Sequence, residues 1–259
     1  MYHFIMPPDS IEPRQVDALF RPQADHLRQR RYDVSLVSAA VIRGEAELRG
    51  IPKEATVVYR GWMLKAHEYQ GLNSAVRRAG ADLLTDPETY LLTHHLPNWY
   101  ATLTEFTAET VVIEEADELL TTLRRLGWGS YFLKDFVKSL KVAGGSIVRS
   151  DADASRWLAK MIEYRDEVEG GICIRRVESF VPESERRYFV LNGVPHTPDE
   201  SPIPKAVHVA AERIASHFFT VDIAMTVDNR CRIVELGDGQ VSDLVGWSPE
   251  RFAGIWPHE

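Results

Sequence analysis

The chain has 259 residues, of which 44% are hydrophobic and 26% are charged, as in an ordinary globular protein with a sizeable core. Its formal net charge of −8 argues against nucleic acid or an anionic membrane as a partner. Its two cysteines, Cys173 and Cys231, lie in predicted strands, so we expect buried reduced thiols rather than disulfides or a zinc cluster. We find no signal-peptide pattern and no bilayer-length apolar run, and therefore expect a cytoplasmic protein.

Strands and helices alternate in the first third of the chain. The predicted strands cover residues 2–6, 32–37, 55–63 and 81–85. A helix is predicted in the second half of residues 9–31, a second one between the second strand and residue 49, a third at 67–80, and a fourth that begins at residue 86. This alternation predicts a parallel sheet covered on both faces over roughly residues 1–95. Arg60 lies at the end of the third strand, where open α/β sheets bind ligands. Its planar guanidinium suits a carboxylate or a phosphate, and a surface arginine paired with a helix is the alternative.

Two patterns in the sequence argue against familiar sites. His94 and His95 are adjacent, so their side chains point in different directions, and no third imidazole lies at metal-ligand spacing. We therefore expect a packed loop there rather than a metal site. The sequence contains no Walker motif and no G-x-G-x-x-G, which argues against a P-loop or Rossmann nucleotide site.

Two lysines stand out in the middle of the chain. They follow a predicted strand at 110–113 and a predicted helix at 114–126, and they precede a further predicted helix at 151–166. Lys134 and Lys138 share a face if residues 130–138 are extended, because their separation is even. Like charges on one face repel each other, and a bound anion would relieve this. Alternatively the segment twists and both lysines are merely solvated.

The last third of the chain predicts strands at 171–182 and 187–193, a loop at 194–203, a helix at 204–217, a β-hairpin and an irregular tail at 247–259. The hairpin turns at Asp228 and brings Asp222 and Glu235 level on one face. Two carboxylates on an apolar sheet are costly unless they are paired or bind a cation. Oxygen ligands favour a hard ion such as Mg²⁺. The alternative is that both carboxylates face water.

The order of these segments resembles the ATP-grasp superfamily, and most closely its compact clade named for one arginine and two lysines. The resemblance rests on Tyr59-Arg60-Gly61-Trp62, Phe132-Leu133-Lys134-Asp135-Phe136-Val137-Lys138-Ser139, Val177-Glu178-Ser179-Phe180-Val181-Pro182, the segment from Glu185 to Gly193, and Val221-Asp222 with the segment from Val234 to Ser242. It implies an α/β (α+β) ATP-grasp fold, in which two α+β lobes hold ATP. A small parallel-sheet domain at 1–95 would precede an ATP-grasp domain at 96–259, with its lobe boundary near 180–185.

The resemblance also implies a role for each site residue. Lys134 and Lys138 would contact the phosphates, and Arg187 would lie near the γ-phosphate. The adenine edge would be read by the backbone of Glu178, Ser179, Phe180 and Val181, and the ribose would be bound by Glu185. Mg²⁺ would be held by Asp222 and Glu235. Gly237 stands where the superfamily has an asparagine, and Asp238 is the expected substitute ligand. An arginine common just before the Asp222 position is also missing, and Arg187 or Arg60 could replace it.

The implied activity is an ATP- and Mg²⁺-dependent ligase that activates a carboxylate as an acyl phosphate for attack by an amine. Arg60 would orient a substrate carboxylate. The alternatives are a phosphotransferase on the same fold and a non-catalytic nucleotide-dependent binding protein. We expect a small molecule or a peptide or protein as substrate, and the sequence leaves a homodimer open.

Overall fold

The protein is described by a computed structural model that covers residues 1–137, 139, 145–165 and 168–257. Its strands are β1 (Tyr2–Met6), β2 (Asp33–Leu36), β3 (Thr56–Tyr59), β4 (Asp82–Leu83), β5 (Thr110–Ile113), β6 (Tyr131–Asp135), β7 (Ile147–Val148), β8 (Ile172–Arg176), β9 (Arg186–Leu191), β10 (Val194–His196), β11 (Phe218–Met225) and β12 (Cys231–Asp238). Its α-helices are α1 (Arg21–Gln29), α2 (Ala39–Ile42), α3 (Ala66–Arg78), α4 (Pro87–His94), α5 (Leu96–Tyr100), α6 (Leu119–Leu126), α7 (Asp151–Arg165), α8 (Lys205–Arg213) and α9 (Pro249–Gly254). No helix within these residues is long and apolar enough to cross a membrane.

The chain divides into two compact units. Unit 1 comprises Met1–Thr93, Arg186–Val221 and Gly237–Glu259, and unit 2 comprises His94–Glu185 and Asp222–Leu236. Unit 1 therefore combines segments that the sequence analysis assigned to two domains. The division into domains at residue 95 stays a prediction about the organisation of the chain.

Unit 1 contains a four-stranded parallel sheet in the order β2-β1-β3-β4, which confirms the predicted N-terminal parallel sheet. Successive side chains of a strand point to opposite faces, so β1 and β3 each supply two cores. One face buries Ile5, Val57 and Tyr59 against residues of α2 and α3. The opposite face buries Phe4, Met6 and Val58 against residues of α1 and α9.

A second sheet has the order β10-β9-β11-β12, with β10 antiparallel to β9. Strands β11 and β12 form the predicted hairpin, which turns between Thr226 and Arg230, and Asn229 adopts a positive φ of 63°. The sequence analysis missed β10 and predicted a loop. Asn192 and Gly193 form the tight turn that leads into β10, with φ angles of 49° and 76°. The proline at position 195 is tolerated because β10 lies at the edge of the sheet.

Unit 2 is built on an antiparallel sheet in the order β5-β8-β6-β7. Its core face buries Ile113, Leu133, Ile172 and Ile174 against α6 and α7. These side chains alternate with the residues that face away from the two helices. The second face of this sheet therefore does not pack against α6 and α7.

Three further expectations were wrong. The tail is not wholly irregular, because Ser248 accepts a hydrogen bond from Arg251 N at 3.0 Å and Pro249 starts α9. The region around His94 and His95 is not a loop. Helix α4 ends at His94, and α5 begins directly after His95 with a proline in its first turn. A longer helix was predicted to run up to residue 49, but in the structure only the short helix α2 forms in this segment.

Candidate functional site

The second face of the unit 2 sheet gathers polar side chains. In the β6–β8 ladder Lys134 lies opposite Cys173, and Phe132 lies opposite Arg175. Residues directly opposite each other in an antiparallel pair share a face. All four therefore project from the face that turns away from the helical core.

This face lines a cavity of about 360 Å³. Its lining consists of Ala108, Phe132, Lys134, Ser139, Ile147, Arg175, Arg176, Val177, Glu178, Phe180, Glu185, Val234 and Glu235. Six of these side chains are apolar, and the others include three cations and three carboxylates. Small-molecule sites commonly combine apolar walls with a few convergent polar groups in this way. Lys138 lies outside the described residues.

An ion pair crosses the cavity between two residues that the sequence resemblance singled out. The Lys134 Nζ donates to Glu235 Oε1 at 2.7 Å. The Lys134 side chain is 5% exposed, whereas that of Glu235 is 43% exposed. The lysine is thus embedded in the sheet, and the carboxylate presents its other side to solvent.

Arg175 is a buried cation beside this pair, and the sequence analysis did not select it. Its Nη1 donates to the carbonyl oxygen of Val234 at 2.7 Å, and its Nη2 donates to Thr107 Oγ1 at 2.7 Å. Thr107 Oγ1 donates in turn to the carbonyl oxygen of Ile233 at 2.8 Å. Burial lowers the pKa of Arg175, and the negative charge of Glu235 partly offsets that effect. Arg175 therefore fixes the strand that carries Glu235.

Glu178 is anchored by its side chain rather than left open to solvent. Arg232 Nε lies 2.9 Å from one Glu178 carboxylate oxygen, and both side chains are largely buried. The two Nη atoms of Arg232 donate to the carbonyl oxygens of Glu105 and Thr107. The start of the predicted adenine-binding segment is thus fixed to β12.

The backbone of the predicted adenine-binding segment is partly hydrogen-bonded to the hairpin. Phe180 forms an isolated antiparallel bridge with the end of the hairpin. The flanking residues make the hydrogen bonds, from Val181 N to Met225 O at 2.8 Å and from Val227 N to Ser179 O at 2.9 Å. In such a bridge the N–H and C=O of the central residue point away from the partner strand. The Phe180 backbone is therefore directed away from the hairpin.

The two hairpin carboxylates lie on neighbouring strands. The bond from Thr226 N to the Arg230 carbonyl, at 2.9 Å across the turn, puts Asp222 opposite Val234 when counted back along both strands. The bond from Gly239 N to the Phe218 carbonyl, at 3.0 Å, puts Asp222 directly opposite Glu235 when counted from the other end, so the register shifts by one residue between the two bonds. Asp222 is 4% exposed. Among the described residues, no group of three or more His, Cys, Asp or Glu side chains is arranged to hold a metal ion. Two carboxylates are the donor set that suits Mg²⁺ when phosphate oxygens complete its coordination.

Asp238 does not add to this donor set in the structure. It belongs to unit 1 and is fully buried, with its Oδ1 accepting from Gln240 N at 3.0 Å and from Gln240 Nε2 at 3.3 Å. Burial raises its pKa to about 7, against the opposing effects of Gln240 and Arg60. An odd separation from Glu235 along β12 also points the two side chains to opposite faces of a regular strand.

Arg60 is likewise part of the interior of unit 1. Its guanidinium is fully buried and donates to Gln23 Oε1 at 3.0 and 3.1 Å, to Ser242 O at 2.9 Å and to the Gly239 carbonyl. It lies 4.6 Å from the centroid of the Phe252 ring. Burial lowers its pKa to about 10. In this arrangement Arg60 fastens the segment after β12 and has no surface exposed to a ligand.

Arg187 is half-buried at the start of β9 in unit 1. Its Nη1 donates to the Asp243 carbonyl at 2.9 Å, and its own carbonyl accepts from Trp247 Nε1 at 2.9 Å. Its role near a γ-phosphate stays a prediction.

The structure thus brings five of the predicted site residues to one cavity: Lys134, Glu178, Phe180, Glu185 and Glu235. The sequence analysis missed Arg175, Arg176 and Ser139. A charged residue that ends the apolar run Ile172-Cys173-Ile174 was the available signal for Arg175, because burying an unpaired charge is costly.

Several solved structures share this fold at low sequence identity. A RimK-domain ATP-grasp protein from Sphaerobacter thermophilus superposes with a TM-score of 0.63 at 14% identity, over 98% of this chain and 99% of that chain. The ATP-grasp ligase PsnB complexed with a minimal precursor, Mg and ADP gives 0.60 at 10% identity, over 98% and 96%. The macrocyclase MdnC from Microcystis aeruginosa, bound with the precursor peptide MdnA, gives 0.61 at 10% identity, over 99% and 95%.

The expected ATP-grasp fold is confirmed by these superpositions. No curated protein matches the chain by sequence. Residues 102–254 match the ATP-grasp domain of family 3 in the clade named for one arginine and two lysines. This region contains the cavity and the hairpin, and the chain belongs to that ATP-grasp family.

Proposed function

We propose that this protein is an ATP- and Mg²⁺-dependent ligase that activates a carboxylate as an acyl phosphate and joins it to an amine. The observation that carries the proposal is the contact of Lys134 with Glu235 in a cavity with apolar walls. A buried ammonium group beside a carboxylate suits a polyphosphate that carries a bound metal ion.

Each part of the cavity would have a separate task. Phe132, Ile147 and Val234 provide apolar surface for a purine ring. The Phe180 N–H and C=O point away from the hairpin. The backbone of the segment from Glu178 to Val181 would read the adenine edge. Glu185 would accept hydrogen bonds from the ribose hydroxyls.

The phosphates would lie against the polar end of the cavity. Lys134, and Lys138 beyond the described residues, would neutralise phosphate charge. Asp222 and Glu235 would hold Mg²⁺, which would supply positive charge against the phosphates. We assign Asp238 and Arg60 to the support of unit 1, because both are buried without access to solvent.

The chemistry needs positioning and charge neutralisation more than a protein nucleophile. The substrate carboxylate attacks the γ-phosphorus, the bond to the β–γ bridging oxygen breaks, and ADP leaves with that electron pair. The amine then adds to the acyl carbon, loses a proton, and expels inorganic phosphate. Arg187 is the residue we propose for the acyl-phosphate charge.

The substrate is either a small molecule or a peptide. The similarity to PsnB and MdnC, whose structures contain a precursor or a precursor peptide, supports testing peptides first. The protein would be incubated with ATP, Mg²⁺ and pools of amino acids or peptides while ADP release is measured, with Glu235→Gln as the blank. Mass spectrometry would then identify products.

The expected result is ADP release that requires one pool and yields an amide. ADP release with a phosphorylated product and no amide would instead establish a phosphotransferase. Calorimetry with millimolar Mg·ATP and no detectable binding would refute both enzymatic functions.

A further inference from the structure

We propose that a second cavity in unit 2 binds a short zwitterionic peptide, which has a free ammonium group at one end and a carboxylate at the other. This hairpin cavity has a volume of about 510 Å³ and is lined by Glu109, Arg176, Val177, Glu178, Ser179, Thr226, Val227, Asp228, Arg230 and Arg232. It shares the wall formed by residues 176–178 with the first cavity. The inference concerns a separate site and does not depend on the proposed function.

The charged side chains of the hairpin cavity balance one another. Three arginines face three carboxylates in three ion pairs, which are Arg176–Glu109 at 2.9 Å, Arg230–Asp228 at 2.7 Å and Arg232–Glu178 at 2.9 Å. A ligand of one sign is therefore attracted by one half of the lining and repelled by the other. A ligand that carries both signs can meet an opposite charge at each of its ends.

The Arg232–Glu178 pair forms a fixed inner wall. Its side chains are only 12% and 14% exposed, and the two Nη atoms of Arg232 donate to the carbonyl oxygens of Glu105 and Thr107. Separating this pair would leave a buried charge without its partner, which is strongly unfavourable. A ligand must therefore bind at the two outer pairs.

The outer pair on the hairpin turn is exposed and held in place. Thr226 Oγ1 accepts from Arg230 N at 2.9 Å and donates to the Arg230 carbonyl at 3.1 Å, which locks the turn. Hydrogen bonds from Thr226 and Arg230 lower the pKa of Asp228, so this carboxylate is charged at neutral pH. Arg230 uses its Nε for Asp228, so the two Nη atoms at its tip can bind the peptide carboxylate as a fork.

The second outer pair suits the ammonium end. Arg176 N donates to the Glu109 carbonyl at 2.8 Å, so the backbones of the two residues are also joined. The Arg176 guanidinium already contacts the Glu109 carboxylate, and it lies 5.3 Å from the centroid of the Trp128 ring. The Glu109 side chain is 53% exposed, and its carboxylate can accept further hydrogen bonds from an ammonium group.

The size of the hairpin cavity points to two or three residues. A compact space of about 510 Å³ is about 8 Å across, and an extended chain covers about 3.3–3.6 Å per residue. The two charges of a single amino acid are too close together to reach both outer pairs. Val177 and Val227 add apolar surface for small side chains.

The test is an NMR titration of the full chain with trialanine, followed through the backbone amide signals. N-acetyl trialanine keeps only the carboxylate and trialanine amide keeps only the ammonium group, so each controls for one end. We expect trialanine to shift the amides of residues 176–179 and 226–230. It should bind at least about tenfold more tightly than either blocked peptide, because each of these loses a charge-assisted hydrogen bond.

Two substitutions should each remove the partner of one end. Arg230→Gln should weaken trialanine binding about tenfold and leave the affinity for trialanine amide unchanged, because that peptide has no carboxylate. Glu109→Gln should weaken trialanine binding to a similar extent and leave the affinity for N-acetyl trialanine unchanged. Arg124→Gln is the matched control, because it breaks an exposed pair with Asp151 outside the cavity and should change none of the three affinities.

The inference is overturned if millimolar trialanine shifts no amide of the hairpin cavity, or if alanine or either blocked peptide binds as tightly as trialanine. It is also overturned if either cavity variant binds trialanine as tightly as Arg124→Gln does. The amide spectra report whether each variant is folded, and one folded cavity variant is sufficient for the decision. Shifts confined to the amides of Phe132 and Lys134 would place the peptide in the first cavity, which would overturn this inference and leave the proposed function intact.

Discussion

The buried carboxyl group of Asp238 makes the stability of the protein depend on pH in a direction unusual for an aspartate. Its side chain is fully buried, and its pKa rises from 3.8 to about 7 because burial disfavours the charged form. Well below the lower of these two pKa values the carboxyl group is protonated in both the folded and the unfolded chain, so its ionisation does not lower the free energy of unfolding. Between the two pKa values the unfolded chain loses the proton while the folded chain keeps it, so stability falls as pH rises.

The size of the effect follows from the shift. A difference of about three pKa units corresponds to about 4 kcal/mol of lost stability once pH exceeds the folded pKa. The same relation gives about 2 kcal/mol at about pH 5. Asp238→Asn places a neutral amide there, which still offers Oδ1 to Gln240. As the pH rises from about 5 to about 8, the free energy of unfolding of the variant should therefore increase by about 2–3 kcal/mol relative to that of the wild type.

Urea unfolding at several pH values, followed by circular dichroism, measures this difference. Asp25→Asn is the matched control, because Asp25 is exposed on α1 and pairs with the exposed Arg28. We expect its stability to run parallel to that of wild type. If the Asp238→Asn and wild-type curves are also parallel over that pH range, the carboxyl group is charged in the folded protein and the reasoning fails.

Three further predictions concern unit 2. Lys134→Met should lower substrate-dependent ADP release by about 10²–10³, measured with a coupled assay, because it removes a preorganised positive charge, and a wild-type rate would contradict its phosphate role. Arg232→Ala should cost about 2–4 kcal/mol in urea unfolding because it removes a partner of the buried Glu178 carboxylate and of two backbone carbonyls. Arg230→Ala breaks an exposed ion pair and should cost much less, and equal costs would refute this difference. Under native conditions a thiol reagent should label half-buried Cys231 before Cys173, whose pKa burial raises to about 12, as mass spectrometry of the digest would reveal.

The parts of the fold that could be predicted from sequence are those set by local patterns. The parallel sheet followed from alternating strands and helices, and the hairpin followed from Asp228 and Asn229 between two apolar runs. Strand β10 escaped because its proline resembles loop composition, and only its place at the sheet edge makes that proline acceptable.

The cavity could be predicted only in part, since its members meet through strand register. The sequence suggested Lys134 and Glu235 separately, but no local pattern states that Cys173 lies opposite Lys134 and so brings Arg175 to the same face. Arg60 illustrates the converse. Its position at a strand end suggested a ligand contact, yet the distant segment that contains Gly239 and Ser242 covers it.

The alternation of β6 between its helical face and its cavity face restricts how the gene can change in length. Inserting or deleting one codon within residues 131–135 would turn Leu133 toward the cavity and Lys134 into the apolar core, because a shift of one residue exchanges the two faces of the strand. Such changes should survive only at the ends of the strand, where loops absorb the extra residue. Descendants of this sequence should therefore differ in loop length while this short segment keeps its spacing.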